Sequence, residues 1–505
     1  MKTNLWTAFI AISILITMIS SQRYQHNPVI GQFLNNTDVG SVKHEGSVLY
    51  DEKNQTYTIE GSGTNMWFGE DEFHFLWLPL KGDFILRAEA KFLGEGVDPH
   101  RKMGWIIRND LNTGAAHVNA CVHGDGLTSL QFRRKEGADT EELRSSDSLP
   151  DVIQLERKGN TYLMSTCTHG KPFQIVKVQD IQLKDEVLAG LYVCSHNPEV
   201  IEKAVFRNVR IIKPAGEDLV PYTDYLGSNL EILDIESRNR LILFNTPHSL
   251  QAPNWTNDGK RLIYNSNGLL YAYDLEQGDI SPLQTGFANN NNNDHVLSFD
   301  GRLLGISHHK AEDKGQSTIY VMPAEGSVKP EQITSAGASY LHGWSPDGSL
   351  LLFTGHRKNK YDIYGISIES KEETQLTDTD GLDDGSEYSP DGKYIYFNSN
   401  RTGTMQIWRM KPDGSEQEQL TFDSYNDWFP HVSPDNKWIV FISYPEDVPS
   451  DDHPFYKHVL IRLMTVFGGD PEIIAYVYGG QGTMNVPNWS PDSKKIAFVS
   501  NTNTY

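Results

Sequence analysis

Apolar and polar residues alternate along much of the chain between about residues 25 and 213. The stretches TYTIEGSG, FILRAEAKF, MGWIIRND, HVNACVHG, SLQFRRK, VIQLERKGNTYLMSTC, VLAGLYVCSH and AVFRNVRII each keep a period of two, and turn residues separate them. NDLNTGAAH, at 109–117, breaks one hairpin. A period of two without helical patches predicts many short strands, hence an antiparallel β-sandwich. The pattern lapses in KPAGEDLVPYTDY, whose prolines and glycine mark a linker over 214–227.

From about Ser228 the pattern repeats. One turn recurs at Asp258, Asp300, Asp347, Asp391, Asp435 and Asp492. Each full unit places a short strand before the turn, a second after it (KYIYFNSN), a third (MQIWRMKP) and a fourth ending in Leu-Thr. Four strands per unit and a period of about 40 to 50 residues predict a propeller, here of six blades. The last unit, ending KKIAFVSNTNTY, holds only its first two strands. NLEILDIESRNRLILF, at 229–244, reads as a third and fourth strand with no first two. The two pieces therefore complete one blade, which removes two open sheet edges.

Composition narrows the classes. A chain of 505 residues with 38% hydrophobic and 22% charged residues suits two or three folded domains. A net charge of −22 argues against a nucleic-acid partner, which needs a basic surface. Residues 1–22, a Lys followed by an apolar run and small residues, read as a secretory signal peptide. The run is shorter than the roughly 20 residues a spanning helix needs, so no transmembrane segment is expected after cleavage. A periplasmic, secreted or surface location and a monomeric state follow as expectations. Cys121, Cys167 and Cys194 are too few for a disulfide framework; one bridge fits an exported protein, and three buried thiols are the expectation.

Two family resemblances overlie this reading. KMGWIIRNDLNTGAAHVNACVHGDGLTSLQFRR, at 102–134, resembles the concanavalin A-like jelly-roll modules of bacterial secreted proteins. In them a Gly-aromatic strand ending in Arg leads through a small-residue loop and DG to a strand ending in aromatic-Arg. The resemblance implies such a sandwich over 25–213, of a kind that often binds sugars. The repeats over 228–505 resemble TolB-like PD40 propellers, related to WD40 repeats, whose unit reads P-x-W-S-P-D-G-x-x-I-x-F-x-S-x-R-x-G. The copy at 387–421 matches it nearly throughout and the one at 342–377 matches well. The copy at 295–334 has Phe299 in place of the Pro. The one at 431–473 carries SPDN and an insertion, YPEDVPSDDHPFY.

Residues repeated in every blade serve the fold. Pro suits the second turn position, Gly the fourth, and the Asp side chain can bond nearby backbone N–H groups. Arg401, generic in the family pattern, is expected to bond loop carbonyls. Residues that differ between blades are the better candidates. Counting back from each turn Asp places His295, His342, Glu387 and His431 on successive inner strands, with Asp294, Asp383, Asp384, Asp427, Trp428 and Asn485 just upstream. Three chemistries stay open there. The groups can line a wet channel, bind or process a sugar, or hold a divalent metal through His295, His342 and His431. A secondary rim of His308, His309, His356, Arg357 and Arg401 could ring an anionic ligand, and FANNNNND (287–294) reads as a flexible polar rim.

The functional expectation is an exported protein that binds a polysaccharide, an oligosaccharide or a protein partner. One alternative is a carbohydrate-active lyase or hydrolase with its centre in the axial His/Glu cluster. Another is a part in Tol-type envelope transport.

Overall fold

The computed structural model describes residues 29–311 and 315–503; the leader expected over 1–22 lies outside them. Two seven-stranded antiparallel sheets form the N-terminal region. Leu76, Trp105, Val118 and Leu130 of one share a buried core with Ile59, Leu86, Leu155 and Phe206 of the other. All the strands expected from alternation are present. Phe73–Lys81 joins them without having announced itself, because it is buried on both faces and reads as a continuous apolar run. The two strand-ending arginines within 102–134 have a structural use. Arg108 and Arg133 converge on buried Asp71, with Nη2 atoms 3.3 and 2.8 Å from its carboxylate oxygens. Cys121, Cys167 and Cys194 are buried free thiols.

Strand Glu202–Ile212 ends the sandwich and Ser228–Asp234 begins the propeller. Among the described residues the propeller comprises five four-stranded sheets and one of three strands. Ring closure occurs as the repeats require: Ser228–Asp234 pairs antiparallel with Lys495–Asn501, and Arg240–Thr246 lies outside it. An isolated bridge between Trp489 and Ile496 adds the innermost segment.

The turn motif explains itself blade by blade. Ser389 Oγ donates to Asp391 Oδ1 at 2.8 Å, Asp391 Oδ1 accepts from Lys393 N, and Tyr394 N donates back to Ser389 Oγ. The same Ser/Thr-to-Asp bond forms at Asp258, Asp300, Asp347, Asp435 and Asp492. Gly392 sits at φ +69°, which favours glycine; Asn436 and Ser493 hold that conformation in the SPDN and SPDS copies. The motif Trp ties neighbouring blades, since Trp344 Nε1 donates to Val296 O and Trp489 Nε1 to His431 O.

A polar seam joins the two regions. Glu231 of the propeller, fully buried, accepts from Arg210 Nη2 of the sandwich at 2.6 Å and from Arg240 Nη2 at 3.0 Å. Cys167 Sγ lies 3.0 Å from the Tyr476 hydroxyl, and Phe173 packs on the Tyr476 ring.

Candidate functional site

The axial channel has two unlike ends because each inner strand runs from one face of the ring to the other. Where the strands meet their turns, a small pocket of about 280 Å³ is lined mainly by apolar groups, among them Trp255, Phe299, Trp344, Pro434 and Trp489. At the starts of the same strands lies a polar cavity of about 980 Å³. Its wall comes from the N-terminal halves of the inner strands, which supply Asn291–Asp294, Tyr340, His342 and Asp384, together with Gln481 and Asn485. Segments outside the repeat cover it. The linker contributes Tyr222 and Tyr225, and the blade-five insertion contributes Asp451, His453 and Phe455. Phe455 stands edge-on to both tyrosines, with centroids 5.2 and 5.8 Å away.

Inside the cavity His342 Nε2 lies 2.9 Å from Asp384 Oδ1, which also accepts from Thr354 Oγ1 at 2.5 Å. Burial alone would pull the His342 pKa down, but the Asp384 carboxylate beside it wins and raises it. Burial would likewise raise Asp384, yet His342 draws it down to about 2. Asp294 differs. Its side chain accepts from the Asn292 amide at 2.8 Å, and burial pushes its pKa up to about 6, with nearby His342 opposing and Asp384 adding to the rise. The cavity thus holds one carboxylate tied to an imidazole and one whose pKa burial raises to about 6.

Of the sequence candidates, Asp294, His342, Asp384 and Asn485 line this cavity, and His309 joins them at its rim. The others go elsewhere. His295 is fully buried with Nε2 facing Ile263 O at 3.2 Å, and desolvation lowers its pKa to about 4. His431 bonds Glu387 through Nδ1 at 2.7 Å and Met484 O through Nε2 at 2.8 Å, and Glu387 lines the opposite, apolar pocket. Asp427 is tied to Arg462 at 2.5 Å, and Trp428 is core. Asp383 is held by Arg401.

The metal expectation at His295, His342 and His431 is corrected. Each imidazole has its own oxygen partner, and among the described residues no group of three or more His, Cys, Asp or Glu side chains could hold a metal ion. Most of the residues expected in the secondary rim have partners within the fold. Arg357 pairs with Glu373 at 2.8 Å, His356 packs on Tyr361, and His308 sits beside Phe287 and Tyr320. Arg401 reaches side chains rather than loop carbonyls: Asp383 at 2.8 Å, Ser399, Gln417 and the face of Trp408. FANNNNND is no flexible rim, because Asn291–Leu297 is an inner strand and Asn291 Nδ2 donates to Gly268 O and Ala288 O.

The scatter has a physical cause. Every described inner strand of the five four-stranded blades breaks register before its turn, at Gln251/Asn254, Asn291/His295, Leu341/Gly343, Asp384/Glu387 and Trp428/His431. His295 and His342 stand at the same offset, yet His295 pairs with Ile306 while His342 falls inside the break between Leu341 and Gly343. Glu387 and His431 stand one residue nearer their turns and so face the other way. Sequence reasoning missed Asn293, Tyr340, Tyr222, His453 and Phe455. Only the asparagine run and the departure of the insertion from the repeat hinted at them.

Comparison with known proteins places the propeller. The TolB beta propeller domain, PD40, matches residues 342–450. The uncharacterized protein Atu1656 of Agrobacterium fabrum is 49% identical over 276 residues, which is 54% of this chain and 92% of that protein. A solved structure from Agrobacterium tumefaciens, provisionally assigned as TolB, is 45% identical with a TM-score of 0.53; the match covers 56% of this chain and all of that one. The Tol-Pal system protein TolB of Francisella tularensis is 28% identical over 156 residues, covering 30% of this chain and 35% of that protein.

Proposed function

Because the chain belongs to the TolB-like family of PD40 propellers, we propose that it is an exported binding protein whose propeller cavity holds a short length of polysaccharide, with a concanavalin A-like sandwich fixed beside it. The observation that carries this reading is the composition of the large cavity. Asn291, Asn292, Asn293 and Gln481 line it with side-chain amides, of which the Asn291 oxygen and the Asn293 NH2 have no partner within the fold, while Tyr222, Tyr225 and Phe455 add aromatic rings. A volume near 980 Å³ is at the upper end for small-ligand sites and suits an oligosaccharide. The sandwich is joined to the propeller through the buried Arg210–Glu231–Arg240 seam, which supports one rigid two-part binding surface.

The test is calorimetric titration of the purified chain with a panel of trisaccharides, repeated with Asn293→Ala. Micromolar to millimolar binding that weakens at least tenfold in the variant is expected. No binding by any member of the panel refutes the reading. One observation favours a second role, hydrolysis: two carboxylates, those of Asp294 and Asp384, line the same cavity, as an acid and a base must. Release of new reducing ends, lost in Asp294→Asn, would establish it. A Tol-type envelope role requires a protein partner instead, and a chain that binds protein but no saccharide would favour it.

A further inference from the structure

We propose that the axial cavity selects a cationic saccharide, an oligomer carrying free amino groups, over neutral and acidic ones of the same length. This rests on the saccharide reading above and adds the charge of the ligand. Three carboxylates line the cavity, Asp294, Asp384 and Asp451, and among its described lining residues there is no Lys or Arg. Asp384 is paired with the His342 imidazole, whereas Asp294 feels His342 only at a distance and has the amide of Asn292 as its side-chain hydrogen-bond donor. A buried carboxylate without a cation is costly, and an incoming ammonium offsets that cost. An acidic sugar would instead set like charges side by side.

Polar atoms left without partners give a second, independent indication of a ligand. Asn293 Nδ2 and Asn291 Oδ1, on side chains 4% and 5% exposed, belong to residues of the cavity wall and make no hydrogen bond. Buried polar groups are normally satisfied, so a donor and an acceptor two positions apart on one strand suit hydroxyl or amine recognition. Tyr222, Tyr225 and Phe455 line the cover, and aromatic rings attract ammonium groups as well as sugar rings.

The test is titration calorimetry at pH 7 and moderate salt with four ligands: the glucosamine trimer, its fully N-acetylated counterpart, cellotriose and trigalacturonate. The glucosamine trimer is expected to bind at least tenfold more tightly than either neutral trimer, and trigalacturonate not at all. Asp294→Asn and Asp451→Asn are each expected to erase the preference while N-acetylated binding persists. Asp451 is exposed on the insertion, so its replacement leaves the core alone. Equal binding of neutral and amino trimers overturns the proposal and leaves the saccharide reading standing, as does tighter binding of trigalacturonate. A preference that survives both substitutions comes from the acidic surface at large and also overturns it. No binding of any trimer sinks both readings.

Discussion

Glu231 and Asp294 are both buried propeller carboxylates, and they behave in opposite ways. Glu231 lies between two guanidiniums at the seam. Burial works against its ionisation, but Arg210 and Arg240 overcome it and hold the pKa at about 2. Asp294 has no such clamp, and burial takes it up to about 6. A carboxylate supplied with its own cations is part of the architecture. One left short of a cation in an open cavity is poised for something the chain itself does not provide.

The largest effect should come from breaking the clamped member. Glu231→Gln leaves two buried guanidiniums without their anion and should cost about 3–5 kcal/mol, read as a fall in chemical-denaturation midpoint. Little change would show that the seam does not depend on its charge. Next, Asp294→Asn should stabilise the protein at pH 7 by up to about 3 kcal/mol, since the shift from 3.8 to about 6 is worth about 1.4 kcal/mol per unit. A loss of stability would mean that the carboxylate already has a partner.

pH sharpens the contrast. Asp294 keeps its proton longer when folded, so its contribution falls as pH rises from about 4 to 6 and is least favourable above that. The groups facing it are His342 and Asp384, with Tyr340 nearby. Glu231 releases its proton more readily when folded, so its contribution is complete above the ordinary glutamate range and is lost as pH falls towards 2. Urea titrations at pH 4.5 and 7 should therefore show Asp294→Asn gaining on the wild type as pH rises. Smallest of all, Asp391→Ala removes one of six equivalent turns and should cost about 1 kcal/mol, with ligand affinity unchanged in the same titration.

Repetition decided what could be read from the sequence. The turn aspartates announced six blades because each must make the same Ser-to-Asp bond, and the incomplete first and last units foretold the pairing of Ser228–Asp234 with Lys495–Asn501. The site obeys no repeat. Its wall depends on where each inner strand slips register, which separates His342 from His295, and on strand alternation, which turns His431 the other way. Its cover comes from the linker and the insertion, where no pattern constrains the residues. Tyr222 and Phe455 meet only because two stretches more than two hundred residues apart in sequence fold over one opening.

The closing blade governs the order of events in the life of the chain. Lys495–Asn501 is made long after its partner Ser228–Asp234, and Thr502 then accepts from Lys213 N and donates its own N–H to Gly227 O, gripping the approach to the propeller. Until that late strand arrives, the ring is an open crescent with two unpaired edges. Proteolysis or truncation that removes this strand is expected to open the ring at both edges rather than trim one end.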